Sequence, residues 1–233
     1  MLADISRPAA GGPNEHHGDS HGNIGEEMTM KKKFDLDFCY KGTRTYVQGP
    51  DIFDAVVNII SKEFNSIEDI KYAAHEMLHN NAAMYLTNKV MKSDYPTINS
   101  LINFIGDGNR YYVVISENDQ LIECSTEYSE ETVQRQSEIK YNSISFVNVL
   151  DDSYTEIVVS MNKHFLNQSV EEKGKWIVTK FDYYNLEDIA NIKNREIKLE
   201  LVQNFNNKLT KSLLFLDGKE VGHLYFSLIP KGS

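Results

Sequence analysis

The sequence predicts an α+β protein in which one unit is used twice, each copy a curled antiparallel sheet wrapped around a central apolar helix. Three observations predict it. The run Gly49-Pro50-Asp51-Ile52-Phe53-Asp54-Ala55-Val56-Val57-Asn58-Ile59-Ile60-Ser61-Lys62-Glu63-Phe64 is the most apolar helix candidate of the chain. A second candidate, over 153–166, also follows a strand and a turn. Much of the rest alternates apolar and polar residues with the period of two that a half-buried strand requires.

In the first helix, Gly49 and Pro50 break the preceding extended run, and proline suits a first helical turn because its missing N–H has no intrahelical partner there. Asp51 and Asp54 set negative charge near the positive end of the helix dipole. Ile52, Phe53, Val56, Val57, Ile59 and Ile60 cover more than half the circumference, the pattern of a helix enclosed on several sides.

Residues 1–30 are dominated by Gly, Pro, Asn, Ala, Ser and His, bring little to bury, and read as a disordered leader. His16, His17 and His21 within it are too few and too mobile for a firm metal site. Phe34, Leu36 and Phe38 then alternate with Asp35 and Asp37 as a strand. Lys41-Gly42-Thr43 is a turn, and Thr45-Tyr46-Val47 a short extended piece. Residues 66–92 read two ways: Ser66 with Asp69 resembles a capping box and favours helix, whereas 70–74 and 82–86 have strand character. A short helix is expected over 96–105, a turn at Gly106-Asp107-Gly108-Asn109, and a hairpin of 111–115 with 121–126 around Glu117-Asn118-Asp119. Residues 127–138 are a charged connector. The second copy has a strand at 144–150, a turn at Asp151-Asp152, the helix, a strand at 176–184, a loop or short helix at 185–193, and strands at 197–202 and 209–216. Asp217-Gly218 then turns the chain into a last strand, 221–229, and is its strongest hairpin signal. The expected layout is a leader (1–30), a first unit (31–128), a connector (129–138) and a second unit (139–233).

The two units match in order. Asp54-Ala55-Val56-Val57-Asn58-Ile59 sits opposite Glu156-Ile157-Val158-Val159-Ser160-Met161, an offset of 102 residues. The segments ending at Leu121 and Val221 form matching closing hairpins at an offset of 100. Strand, long buried helix and several antiparallel strands, repeated twice, resembles the hotdog fold. In that family a curled sheet wraps a central helix, and paired units make acyl-thioester sites between them. The closing run Lys211 to Leu224 is similar to the end of such domains. The start of the first helix is similar to the β-hydroxyacyl-ACP dehydratases, where a Gly opens the helix and an acidic residue followed by Ala comes five residues later, as Gly49, Asp54 and Ala55 do here. The resemblance implies two hotdog-like repeats acting on acyl-ACP or acyl-CoA in dehydratase or thioesterase chemistry, in lipid or polyketide biosynthesis, without a cofactor. It makes Asp54 the carboxylate, Glu156 its counterpart, and the Gly49 helix start an oxyanion site. Where the dehydratases carry a histidine, this chain has Tyr40.

Composition bounds the alternatives. Hydrophobic residues make up 41% and aromatics 11% of the 233 residues, enough for one large core or two small ones. A net charge of -10 argues against a nucleic-acid backbone or an anionic membrane as the main partner. No apolar run approaches the ~20 residues that span a bilayer. Cys39 and Cys124 are the only cysteines. They read as inert buried thiols with no disulfide framework and no cysteine zinc site, which fits a reducing compartment and a cytoplasmic protein. A homodimer is compatible with the family's pairing of units.

His75-Glu76-Met77-Leu78-His79 is a formal HExxH. On a helix its histidines would share one face and hold zinc, with Glu76 as general base, and the chain would be a metallopeptidase. The other readings make His75 a general acid or base in an acyl site, or make both histidines ordinary packed residues. Asp54 and Glu156 are either a catalytic pair or helix-start residues that satisfy the dipole. Tyr40 and Tyr46 offer a phenol to a substrate or are plain strand aromatics. Arg44 offers a phosphate contact or is a solvated turn residue. Trp176, with Phe181, Tyr183 and Tyr184, reads as core. A non-catalytic module that binds an acyl chain or a protein is the second account of the whole chain.

Overall fold

A computed structural model describes residues 30–171 and 174–230. The expected leader, with His16, His17 and His21, lies outside the described residues except for Met30. In chain order the elements are β1 (Lys31–Leu36), β2 (Tyr40–Lys41), α1 (Gly49–Glu63), β3 (Ile67–Ala74), β4 (Ala82–Thr87), β5 (Ser100–Gly106), β6 (Asn109–Glu117), β7 (Ser125–Thr126) and α2 (Glu131–Gln136). They continue as β8 (Glu138–Lys140), β9 (Ser143–Val147), α3 (Tyr154–Ser169), β10 (Gly174–Asn185), β11 (Glu196–Phe205), β12 (Leu209–Leu216) and β13 (Lys219–Pro230). Eleven strands form one sheet in the order β1-β4-β6-β5-β3-β10-β13-β12-β11-β9-β8, and β2 pairs with β7 in a separate two-stranded ladder. The large antiparallel sheet carrying two main helices is the α+β class expected from the sequence.

The sheet has two halves joined where β3 pairs with β10. In the sheet, the first half contributes one strand before its helix and four after it, and the second contributes two (β8 and β9) before and four after, but the last strands are placed differently. In the second half β11, β12 and β13 follow one another as neighbours, joined by turns at Asn206-Asn207 and Asp217-Gly218, whose residues take positive φ. In the first half β6 sits between β4 and β5. Both are antiparallel to β6 and so parallel to each other, and residues 88–99 must travel back along the sheet. That return covers its outer face. Tyr95 is buried against Tyr85 (ring centroids 5.1 Å apart), and Thr97 Oγ1 lies 3.2 Å from Ser116 Oγ. Both faces of β4 and β6 are thereby covered, which is why 82–86 and 111–115 are continuous apolar runs and not alternating ones.

Several expectations are corrected. The helix expected over 96–105 is β5, whose Ser100, Ile102, Phe104 and Gly106 turn inward with period two. The helical option for 66–92 fails as well. Ser66 donates its N–H to Asp107 Oδ1 (2.9 Å), and the chain enters β3. Residues 121–126 do not form a hairpin with 111–115, because both edges of β6 are taken by β4 and β5. The first-half hairpin turns instead at Asp107-Gly108. The connector contains α2, which buries Val133 against α3. The helix offset is 105 residues, not 102, since Gln48 and Ser153 are the N-caps. Glu156 therefore corresponds to Asp51, and Asp54 to Val159. α1 is not the more enclosed helix: its buried residues are Pro50, Ile52, Phe53, Val56 and Ile60, whereas α3 is buried on nearly every side.

Cys39 and Cys124 are joined in a disulfide, with Cα atoms 4.8 Å apart across 85 residues of sequence. The inert-thiol reading is corrected, and with it the inference from free cysteines to a reducing compartment. Their pairing depends on β2 lying beside β7, which sequence spacing does not encode. No helix among the described residues is long and apolar enough to cross a membrane.

One core runs across the seam. Phe53 of α1 meets Phe181 of β10 edge-on (4.8 Å), and Tyr72 of β3 stacks on the same ring (4.5 Å). Such pairs add about 0.5–1.5 kcal/mol beyond the area they bury.

Candidate functional site

The start of α1 opens into a cavity of about 290 Å³ at the seam. Its walls are residues 46–50 with Ile52, the stretch 74–78 that leaves β3, Trp176–Thr179 of β10, and Val159 and Lys163 of α3. Two tethers bring the first two walls together. Val47 donates its N–H to Leu78 O (2.8 Å), and the buried Asn99 organises the chain after β3. Its carbonyl accepts from His75 N (2.9 Å) and Glu76 N (3.1 Å), while its side-chain amide donates to Met77 O (3.2 Å). Gly49 lets the helix start close on β10: a Cβ there would lie 3.1 Å from Val178 Cγ1 and 3.3 Å from the Tyr72 hydroxyl oxygen. Gln48 gives no side-chain cap to the first-turn N–H groups. The positive end of α1 thus faces the cavity with its donors unclaimed by a cap.

The mouth is charged and braced. Glu130 accepts from Lys163 Nζ (2.9 and 3.0 Å), Arg44 Nη2 (3.2 Å) and the Tyr128 hydroxyl (3.1 Å). The Arg44 guanidinium lies over the Tyr128 ring at 4.4 Å, and Lys175 Nζ over the Tyr46 ring at 4.3 Å. Burial, reinforced by Glu130 and Glu156, holds the Tyr128 phenol well above its usual range. Alongside, Lys41 Nζ bridges Asp51 (2.7 Å) and Glu156 (2.6 Å). Burial disfavours the Lys41 ammonium, but these two carboxylates outweigh it and hold its pKa above the ordinary value. Burial raises the Glu156 carboxyl against the opposing pull of Lys41.

A second cavity of about 670 Å³ lies at the start of α3. It is the repeat-related counterpart of the first. Val159 and Lys163 line the first cavity, and Asp54 and Asn58, at the same 105-residue offset, line the second. The chain after β3 walls one, and 186–193 after β10 walls the other. The chemistry differs. Ser153 caps α3 by accepting from Glu156 N (3.1 Å) and also hydrogen-bonds the Asp54 carboxyl. Burial pushes Asp54 up to about 6, opposed by the Ser153 hydroxyl and helped by the nearby Glu156 and Asp51 charges.

Of the residues singled out in the sequence, Gly49, Arg44, Tyr46, His75 and Glu76 come together around the first cavity. Asp54 lines the second, and Glu156 belongs to the Lys41 bridge. Tyr40 donates its hydroxyl to His79 O, outside both. His79 Nδ1 is 2.8 Å from Thr45 O, in an outer recess with Thr43, Arg44 and Met77. The zinc-peptidase alternative is overturned in its premise. Residues 75–79 form no helix, so His75 and His79 do not share a helix face. Among the described residues no three His, Cys, Asp or Glu side chains are grouped to hold a metal ion. Sequence reasoning missed Lys163, Lys175, Glu130 and Asn99, for which no local pattern exists. The core reading holds for Trp176, Phe181 and Tyr183, with Trp176 also forming part of the cavity wall, and is corrected for Tyr184, which is exposed.

No family model matches the sequence, and no curated protein matches it. Among solved structures, the chain is similar to the tesB protein of Mycobacterium avium subs paratuberculosis, with TM-score 0.47 and 9% identity over 85% of this chain and 93% of that one. It is similar to the acyl-ACP thioesterase from Bacteroides thetaiotaomicron VPI-5482, with TM-score 0.43 and 10% identity over 86% and 97%. A monomeric dehydratase domain from a trans AT polyketide synthase split module gives TM-score 0.46 and 10% identity over 86% and 99%. All three likenesses lie below a TM-score of 0.5 and at 9–10% identity, and they carry no correspondence of residues.

Proposed function

We propose that the chain is a double hotdog whose seam cavity holds the acyl group of an acyl thioester, carried on CoA or an acyl carrier protein, with the thioester carbonyl at the start of α1. The observation that carries this reading is the uncapped first turn of α1, opening at Gly49 into a largely apolar cavity. Preorganised N–H groups in such a place stabilise the oxygen of a polarised carbonyl. Ile52, Val178 and Phe226 form the apolar wall for the chain, while Arg44 and Lys175 at the mouth meet the carrier's phosphate. His75 is the imidazole of this lining and the general acid or base of the reading, taking a proton from an attacking water in a thioesterase or from the substrate carbon in a dehydratase. The reading sets the protein in the cytoplasm, where a disulfide is more often redox-active than permanent.

Binding without turnover is the second reading, and the position of Asp54 favours it. Five residues beyond Gly49, it is rotated about 140° around the helix and displaced about 7.5 Å along it, and it lines the other cavity. The two do not address one carbonyl.

The test mixes the protein with acyl-CoA thioesters of graded chain length, following thiol release and intact mass, beside binding of an acyl-CoA thioether that resists hydrolysis. Binding is expected, and Val178→Trp, which fills the cavity beside Gly49, is expected to weaken it at least about tenfold, or 1.4 kcal/mol. Turnover abolished by His75→Ala selects the enzyme, and binding without turnover selects the module. Binding that survives Val178→Trp in a folded protein overturns the assignment of the cavity.

A further inference from the structure

We propose that the Cys39–Cys124 disulfide is a redox latch on the mouth of the seam cavity, opened by a dithiol reductant. Its bearing on ligand entry rests on the function proposed above, whereas the latch itself rests on how residues 121–130 are held.

Both ends of that segment are anchored. Asn81 donates its side-chain amide to Leu121 O (3.3 Å) and its N–H to Gln120 O (2.9 Å). At the far end Glu130 is gripped by Arg44 and Lys163. Between the anchors the backbone is tied only lightly. Tyr40 N donates to Cys124 O (3.0 Å) and Gly42 N to Thr126 O (2.8 Å), a parallel ladder two residues long. Glu123 and Cys124 through Glu127 are exposed, so little apolar burial supports it. An isolated two-stranded pair of this length is not stable by itself in water. The covalent bond is what holds the two strands in register.

The two cysteines are not equivalent. Cys39 follows the buried Phe38, whose N–H donates to Asn81 Oδ1 (2.8 Å), and is itself half-buried. Cys124 is exposed and open to an attacking thiolate. When the bond is cleaved, the strand of Cys39 stays docked and the segment of Cys124 is free to leave. Two side chains of the cavity mouth depend on that segment. Tyr128 covers the Arg44 guanidinium (4.4 Å) and donates to Glu130, and both Arg44 and Glu130 line the cavity. Ile122 packs against the core and stays with the near anchor, so the released part is 123–129, and its departure loosens the mouth.

The chemistry is ordinary thiol exchange. A dithiol thiolate attacks the disulfide, a mixed disulfide forms, and its second thiol resolves it. The dithiol loses two electrons and two protons and becomes a disulfide. Cys39 and Cys124 gain them and become two thiols.

The full chain tests this with dithiothreitol as the probe and no ligand present. Intact mass and thiol titration establish reduction under native conditions. Hydrogen exchange over residues 123–129 is then expected to rise about tenfold or more, while β3, β10 and α3 stay unchanged. Trp176, the single tryptophan, lines the cavity and is expected to become more accessible to acrylamide quenching. Cys124→Ser should reproduce the reduced state without thiol and no longer respond to it. Reduction with unchanged exchange and quenching makes the bond an inert staple and overturns the latch. A bond that resists dithiothreitol in the folded protein overturns it too. A positive result followed by failure to bind any acyl thioether retains the latch and removes only the acyl reading.

Discussion

The two helix starts have the same place in the repeat and opposite chemistry. α3 begins with a side-chain cap at Ser153, while the first-turn acids of both helices, Asp51 and Glu156, share Lys41. α1 begins at Gln48 without a side-chain cap, with Gly49 and Pro50 behind it, and faces an apolar cavity. A capped end stabilises a helix, and an uncapped one keeps its donors available to something else. Both starts border a cavity, and the difference lies in whether a side chain occupies the first-turn N–H groups: one does at Ser153 and none does at Gln48.

The largest effect expected tests whether the halves are one folding unit. Phe53→Ala removes a ring of α1 that packs on Phe181 and Tyr183 of the second half. It should cost about 3–5 kcal/mol and preserve a single unfolding transition, and two separated transitions in calorimetry would break the picture of a shared core. Replacing both cysteines by serine should lower stability by about 2–4 kcal/mol in denaturant titration, since the bond closes a long loop. No loss would mean that the two-residue ladder holds the segment unaided.

Asp54 separates the cavities by pH. Its carboxyl binds a proton more tightly in the folded chain than in the unfolded one, so its contribution to stability is full below the ordinary 3.8 and is lost as pH rises through about 6. Asp54→Asn should flatten stability over that window and add about 1–3 kcal/mol at pH 8. An unchanged slope would mean that the carboxyl is well solvated. The helix ends themselves give the finest test. Ser153→Ala should cost about 1 kcal/mol, whereas Gln48→Ala should cost almost nothing. Gln48→Asp should stabilise the fold by about 0.5–1 kcal/mol while weakening acyl binding, because its carboxylate takes the donors and repels a polarised carbonyl oxygen. Equal costs at Gln48 and Ser153 would dissolve the contrast.

Local pattern carried much of the architecture. Asp217-Gly218 marked the last hairpin, Ser153 marked the start of α3, and alternation along 209–216 and 221–229 marked half-buried strands. The same rules failed where tertiary packing overrode local preference. The return of 88–99 over the outer face leaves 82–86 of β4 without alternation, and the sequence left 66–92 between helix and strand. The pairing of β6 with both β4 and β5 removed the hairpin that 111–126 suggested.

The sequence by itself determined the α+β class, the doubled order of elements, and a helix start at Gly49. These follow from periodicity, turn dipeptides and capping residues, which act within a few positions of one another. Tertiary structure alone decided which residues meet. It brought His75 and Arg44 to Gly49, sent Asp54 to the opposite cavity, and joined Cys39 to Cys124 across 85 residues. Those contacts depend on strand order and on the rotation of each helix against the sheet, and a rotation of about 100° per residue sends side chains one position apart to different walls.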